Sequence, residues 1–114
     1  MKPKLPTEYD ECIAFVQYLE LKNLLFTHIS SEMQGSWGAR MRNKRMGVRK
    51  GFPDYAICWS GNLLFIEMKR KKSGAISDEQ HTWQTFLNTV PGVSAKVCYG
   101  ADEAIASVEN YLNS

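Results

Sequence analysis

Gly51-Phe52-Pro53-Asp54-Tyr55-Ala56-Ile57-Cys58-Trp59-Ser60-Gly61-Asn62-Leu63-Leu64-Phe65-Ile66-Glu67-Met68-Lys69 is the stretch whose reading decides the fold. Two β-rich runs, Asp54 to Trp59 and Asn62 to Lys69, flank Ser60-Gly61, a short hairpin signal. Leu63 to Ile66 is apolar on both faces, as expected of a central strand covered on both sides. If Ser60 and Gly61 are the two loop residues, Trp59 pairs with Asn62, and the residue numbers of every cross-strand pair sum to 121. Asp54 then faces Glu67, with Cβ atoms ~4.5–5.5 Å apart. Like charges in that position repel unless a cation lies between them. Two carboxylates converging at the end of a buried hairpin suit Mg²⁺, which prefers hard oxygen ligands and retains several waters. Lys69 lies one alternation beyond Glu67 on the same strand face. It is placed to orient or help deprotonate a water on such a metal, or to neutralise charge on a phosphate. A one-residue slip in register would separate these groups.

On the N-terminal side, Thr7 is expected to cap a helix from Glu8, with Asp10 completing a capping box. Cys12, Ile13, Val16 and Leu19 follow at helical spacing, with Phe15 widening the apolar face. Leu24 to Ile29 reads as a strand, Ser30 to Gly38 as a loop, and Ala39 to Met46 as a short basic helix. Gly47 to Pro53 is a Gly-containing approach to the hairpin. On the C-terminal side, Arg70 to Gly74 reads as a loop and Ser77 caps a helix running to about Asn88. Pro91-Gly92 marks a turn. Ser94 to Tyr99 is a last strand, and Ala101 to Leu112 a last helix with Ala104, Ile105, Val108 and Leu112 inward. The expected fold is one α/β unit, a mixed sheet with helices packed on it, in the order α, β, (α), β, β, α, β, α.

The chain of 114 residues suits a single domain with one ordinary core. Its apolar fraction of 44% and charged fraction of 23% are those of a globular protein. There is no apolar run long enough for a membrane span and no signal-peptide pattern. A cytoplasmic protein, of a bacterium or a phage-infected cell, is the expectation. Cys12, Cys58 and Cys98 are widely separated and read as small core residues, against a disulfide framework or a structural zinc. His28, His81, Trp37 and Trp83 read as packing or surface residues rather than catalysts.

The net charge of +2 conceals a strong asymmetry. Residues 40–72 hold ten of the fourteen basic residues and, as acids, only Asp54 and Glu67, so this stretch carries +8 and the rest of the chain −6. Arg40, Arg42, Lys44, Arg45, Arg49, Lys50 and Arg70 are therefore expected to hold a polyanion.

Pro53-Asp54, then twelve residues, then Glu67-Met68-Lys69 resembles the PD-(D/E)xK nuclease motif. A fuller ordered set resembles the VRR-NUC (virus-type replication-repair nuclease) family, found also at the C-terminal end of Fanconi-associated nuclease. That set is Glu8 and Glu11 in the first helix, Gly47-Val48, Gly51-Phe52-Pro53-Asp54, Ile66-Glu67-Met68-Lys69-Arg70 and Ser77-Asp78-Glu79-Gln80. The resemblance spans Glu8 to Leu112. It implies a restriction-endonuclease-like core (α-β-β-β-α-β) and Mg²⁺- or Mn²⁺-dependent hydrolysis of DNA phosphodiesters. It also implies Asp54, Glu67 and the Met68 carbonyl as metal ligands, and Lys69 as the catalytic lysine. A first-helix glutamate would complete the site, Glu11 by the family position with Glu8 as runner-up, and Gln80 would approach from its helix. Ser30-Ser31 departs from the Pro-Asn expected there. The function implied is structure-selective cleavage of flapped, branched or four-way-junction DNA, with a homodimer expected by analogy. The rival readings are a non-catalytic DNA-binding module of the same fold and a restriction-type nuclease.

Overall fold

The computed structural model describes residues 4–29, 35–72 and 75–113. In chain order the elements are α1 (Glu8–Leu21), β1 (Leu25–His28), α2 (Trp37–Arg45), β2 (Tyr55–Trp59), β3 (Asn62–Lys69), α3 (Asp78–Leu87), β4 (Val93–Tyr99) and α4 (Ala101–Leu112). The four strands form one mixed sheet in the order β1-β2-β3-β4. β1 and β2 are antiparallel, as are β2 and β3, while β3 and β4 run parallel with α3 as the crossover.

The hairpin has the expected register: Trp59 pairs with Asn62, and the ladder continues to Tyr55 opposite Ile66. Ser60 and Gly61 both have positive φ, 47° and 81°. Two such central residues make a turn whose twist matches that of the strands it joins. Because a two-residue turn leaves no slack, it fixes every pairing beyond it.

Two layers of helix cover the sheet. On one face, Phe15 and Leu19 of α1 and Ala101, Ala104 and Val108 of α4 meet Tyr55, Ile57, Leu64, Ile66, Met68 and Cys98 in the main core. Phe15 packs edge-on against Tyr55 with ring centroids 5.3 Å apart. On the other face, Phe52 lies edge-on between Phe65 of β3 and Trp83 of α3. β3 is thus buried from Leu64 to Met68, as its unbroken apolar run requires.

The caps explain where the helices begin. Thr7 and Asp10 form the expected capping box at α1, and Ser77 and Gln80 form a second at α3. Ser36 caps α2, its hydroxyl accepting from Ala39 N–H. That helix therefore begins at Trp37, two residues before the expected Ala39. Residues Ser30–Gln34 lie outside the described set, and with them the Ser30-Ser31 departure.

Two expectations about the core are corrected. Ile13 is 41% exposed, because α1 turns the stripe Glu11, Phe15 and Leu19 to the sheet instead. Cys58 is exposed, while Cys98 is buried and Cys12 half-buried. Alternation along β2 puts Cys58 on the face opposite Ile57. It lies there beside the hairpin tip, away from α3, which packs mainly on β4.

Candidate active site

The site forms where the β2–β3 hairpin opens. Asp54 immediately precedes β2, and its backbone carbonyl accepts from Ile29 N–H, which ties it to the end of β1. Its carboxylate Oδ2 accepts from Met68 N–H at 2.8 Å. Lys69 turns its carbonyl the other way, accepting from Gly100 N–H beyond β4. Successive strand residues alternate the side to which their N–H and C=O groups point. Met68 therefore directs both backbone groups toward Asp54, and its buried side chain belongs to the core on the α1 face.

Glu67 lies opposite Asp54 in the register that the hairpin imposes. It is only 5% exposed and its carboxyl hydrogen-bonds to that of Asp54. Burial first, and then the charge of Asp54, pushes Glu67 up to about 9, against the opposing pull of Lys69. At neutral pH the isolated pair thus keeps a proton on Glu67. Two carboxyl groups held this way fit a divalent cation, because a cation between them replaces the shared proton and removes the repulsion. Among the described residues no three His, Cys, Asp or Glu side chains converge to form a complete metal cage. The arrangement suits a hard cation that keeps water and takes phosphate oxygens rather than one enclosed by protein. Alternation puts Phe65, Glu67 and Lys69 on one face, and the contact of Phe65 with Phe52 identifies it as the α3 face.

The two first-helix glutamates part company. Glu11 is 6% exposed, and its Oε1 accepts from Ala101 N–H at 3.3 Å. Ala101 opens α4, whose N-cap, Gly100, has no side chain to offer. Glu11 therefore supplies the cap from another helix, where the N-terminal end of the dipole favours a carboxylate. Its Oε2 is buried without a hydrogen-bond partner. Gly100 has φ +95°, and a Cβ there would come within 2.7 Å of that oxygen and of Lys71 Cε. The helix carboxylate whose charge raises Glu67 is Glu8, one turn earlier. Glu8 also bears on Cys12 and Tyr55, beside the pair.

The first turn of α3, which carries Gln80, is in close backbone contact with Gly51. At Gly51, φ is +87° and a Cβ would stand 2.6 Å from the Glu79 carbonyl carbon and 2.7 Å from Gln80 N. Only glycine allows the loop before Asp54 to press on the first turn of α3. The Gln80 amide oxygen accepts from Ser77 N–H at 3.0 Å, which closes the capping box of α3.

The basic residues are spread along the approach to this site. Arg40, Arg42, Lys44 and Arg45 are exposed on α2, and Arg49 and Lys50 are exposed on the loop leading to Gly51. None of these six is ion-paired with a carboxylate among the described residues, whose ion pairs include Lys22–Glu109 and Lys71–Asp102. Arg70 is exposed just past β3. The feature that sequence reasoning passed over is a groove between α2 and α3 walled by Trp37 and Trp83. Its signal is present in the spacing Trp37, Arg40, Met41 and Lys44, one face of a helix.

Residues 4–102 match the family model of the VRR-NUC domain. A solved structure of a VRR_NUC domain protein superposes with a TM-score of 0.74 at 23% identity, covering 97% of this chain and 92% of that one. That likeness bears on the fold. Among curated proteins none matches the chain in sequence.

Proposed function

Because the chain belongs to the VRR-NUC domain family, a nuclease-related family, we propose that it is a Mg²⁺- or Mn²⁺-dependent DNA endonuclease serving replication or repair. The observation that carries this reading is the pair of half-buried Asp54 and buried Glu67, with Lys69 one alternation beyond Glu67 on the same face. Asp54, Glu67 and the Met68 carbonyl would hold the cation, with Glu8 as the helix-borne carboxylate and Glu11 holding α4 in place. When bound, the cation supplies a more acidic water and offsets charge on the scissile phosphate.

The protein's own groups do the rest. Asp54 is fixed by Met68 N–H and Glu67 by burial, so both carboxylates are held before substrate arrives. Lys69 projects from a strand, which restricts its reach to the attacking water or a non-bridging phosphate oxygen. Gln80 can donate to the same phosphate from the end of α3. The cations of α2 and of the Arg49-Lys50 loop bind backbone phosphates, which gives affinity without sequence reading. Selectivity then rests on DNA shape. A four-way junction takes two symmetric cuts, so on that substrate we expect two copies to act together.

The decisive experiment incubates labelled duplex, flap and four-way junction with the protein in Mg²⁺, Mn²⁺ or Ca²⁺. Metal-dependent cleavage that Asp54→Asn abolishes supports the proposal. Binding of all three substrates with no cleavage in Mg²⁺ or Mn²⁺ would make the chain a DNA-binding module of nuclease fold.

A further inference from the structure

α2 buries no residue of its own. Its apolar side chains are therefore not committed to the core, and they line one side of a groove of about 700 Å³ whose opposite side is α3. That volume is within the ~300–1,000 Å³ typical of small-ligand sites. Trp37 stands on the wall with 77% of its surface exposed. Trp83 forms the facing wall, held by its edge-on contact with Phe52 and by donation from its indole N–H to the Lys50 carbonyl at 3.1 Å. Arg40, Lys44, Arg49 and Lys50 line the same groove, against Glu79 as its one lining acid among the described residues.

This combination has a specific chemical complement. An exposed indole face with a half-buried apolar floor offers a stacking platform, and four cations around it offer sites for phosphate. A base inside a duplex is stacked on both sides and cannot present its face to an indole. An unpaired nucleotide can, and it carries its phosphate with it. The groove is also close to the chemistry. Lys50 precedes Asp54 by four residues, a span of at most ~14 Å of chain, and Trp83 lies on the same helix as Gln80.

We propose that the groove between α2 and α3 receives an unpaired nucleotide of the DNA substrate, its base stacked on Trp37 and its phosphate among Arg40, Lys44, Arg49 and Lys50. The inference rests on the endonuclease reading for the identity of the polyanion and adds where an unpaired nucleotide binds and which side chain receives its base. Trp83 shapes the groove and Trp37 is the specificity-determining residue. A single-stranded branch so held would place the adjoining duplex phosphates at the Asp54–Glu67 pair.

The test measures binding in Ca²⁺ to a blunt duplex and to the same duplex carrying a short unpaired thymidine tail at either end. The wild-type protein should prefer a tailed duplex by roughly ten-fold or more, with quenching of tryptophan fluorescence. Trp37→Ala should bring the preference down to about one, and Trp37→Phe, which keeps an aromatic face, should restore most of it. Circular dichroism checks that both variants are folded. A wild-type protein with no tail preference, or a Trp37→Ala variant that keeps it, overturns the inference. Neither result touches the endonuclease reading, which stands or falls on cleavage of duplex, flap or four-way junction in Mg²⁺ or Mn²⁺. Trp37-dependent tail binding without cleavage of any of the three would leave the groove assigned and the nuclease rejected.

Discussion

Met68 donates its backbone N–H to the Asp54 carboxylate at 2.8 Å, across the point where the β2–β3 ladder ends. The bond extends the hairpin beyond its last strand pair, using a side chain in place of the missing backbone partner. It holds Asp54 beside Glu67, whose retained proton a cation would displace. Removing the Asp54 carboxylate should therefore remove cation binding. Calorimetric titration with Mn²⁺ should show affinity weakened by roughly ten-fold or more in Asp54→Ala. Equal affinities would place the metal elsewhere.

The pH dependence of the cation-free protein follows from Glu67, whose ordinary value is 4.5 and which the fold pushes up to about 9. Between those values the folded chain keeps a proton that the unfolded chain has lost. The stabilisation is thus fully present below pH 4.5 and is lost as pH rises toward 9. In EDTA, thermal unfolding of the wild type should fall over this window more steeply than that of Glu67→Gln. Mg²⁺ should raise the wild-type midpoint more at the alkaline end, where the pair is ready to ligate. Parallel pH profiles for the two proteins would show that Glu67 titrates normally.

Lys69 and Arg42 should separate catalysis from holding. Lys69→Ala should lower single-turnover cleavage by roughly 10²–10⁴ while DNA affinity in Ca²⁺ stays within about three-fold. Arg42→Ala, on exposed α2, should lose affinity modestly and little rate at saturation. Lys71 is a poor comparator, because β3 ends at Lys69 and Lys71 is tied to Asp102 at 3.2 Å. If the Lys69 and Arg42 variants behave alike, Lys69 is a phosphate contact only.

Glu8 and Glu11 should fail in different ways. Glu8→Gln should abolish metal-dependent cleavage with little change in melting temperature. Glu11→Ala should destabilise the fold by about 1–3 kcal/mol, since Ala101 N–H and the start of α4 lose their cap. Glu11→Gln, which can still accept that bond, should keep most of the activity. Full activity in Glu8→Gln alongside a dead but stable Glu11→Gln would return the ligand role to Glu11.

The basic approach should be visible in salt dependence. Replacing Arg42, Arg45 and Arg49 together by Gln should reduce the slope of log affinity against log salt by roughly 2–3, because each phosphate left unneutralised lowers it by about one. Electrophoretic or anisotropy titrations over a range of salt would measure it. An unchanged slope would make these side chains a solvated surface.

The hairpin, its register and the facing of Asp54 by Glu67 were legible from Gly51 to Lys69 alone. Their geometry depends on a two-residue turn and on strict alternation, both local properties of a short chain segment. The same holds for the helix starts at Thr7 and Ser77, where a side chain caps the backbone three residues on. Only the tertiary structure separates the surroundings of Glu8 from those of Glu11. They lie three residues apart on one helix, and the difference depends on how α1 rolls on the sheet, which Phe15 and Leu19 set by filling the core. Glu11 falls in their stripe and is carried inward to Ala101. The exposure of Cys58 and the pairing of Trp37 with Trp83 across a groove are of the same kind. Each depends on where a helix far along the chain comes to rest, and that is fixed by packing between elements rather than by the residues on either side.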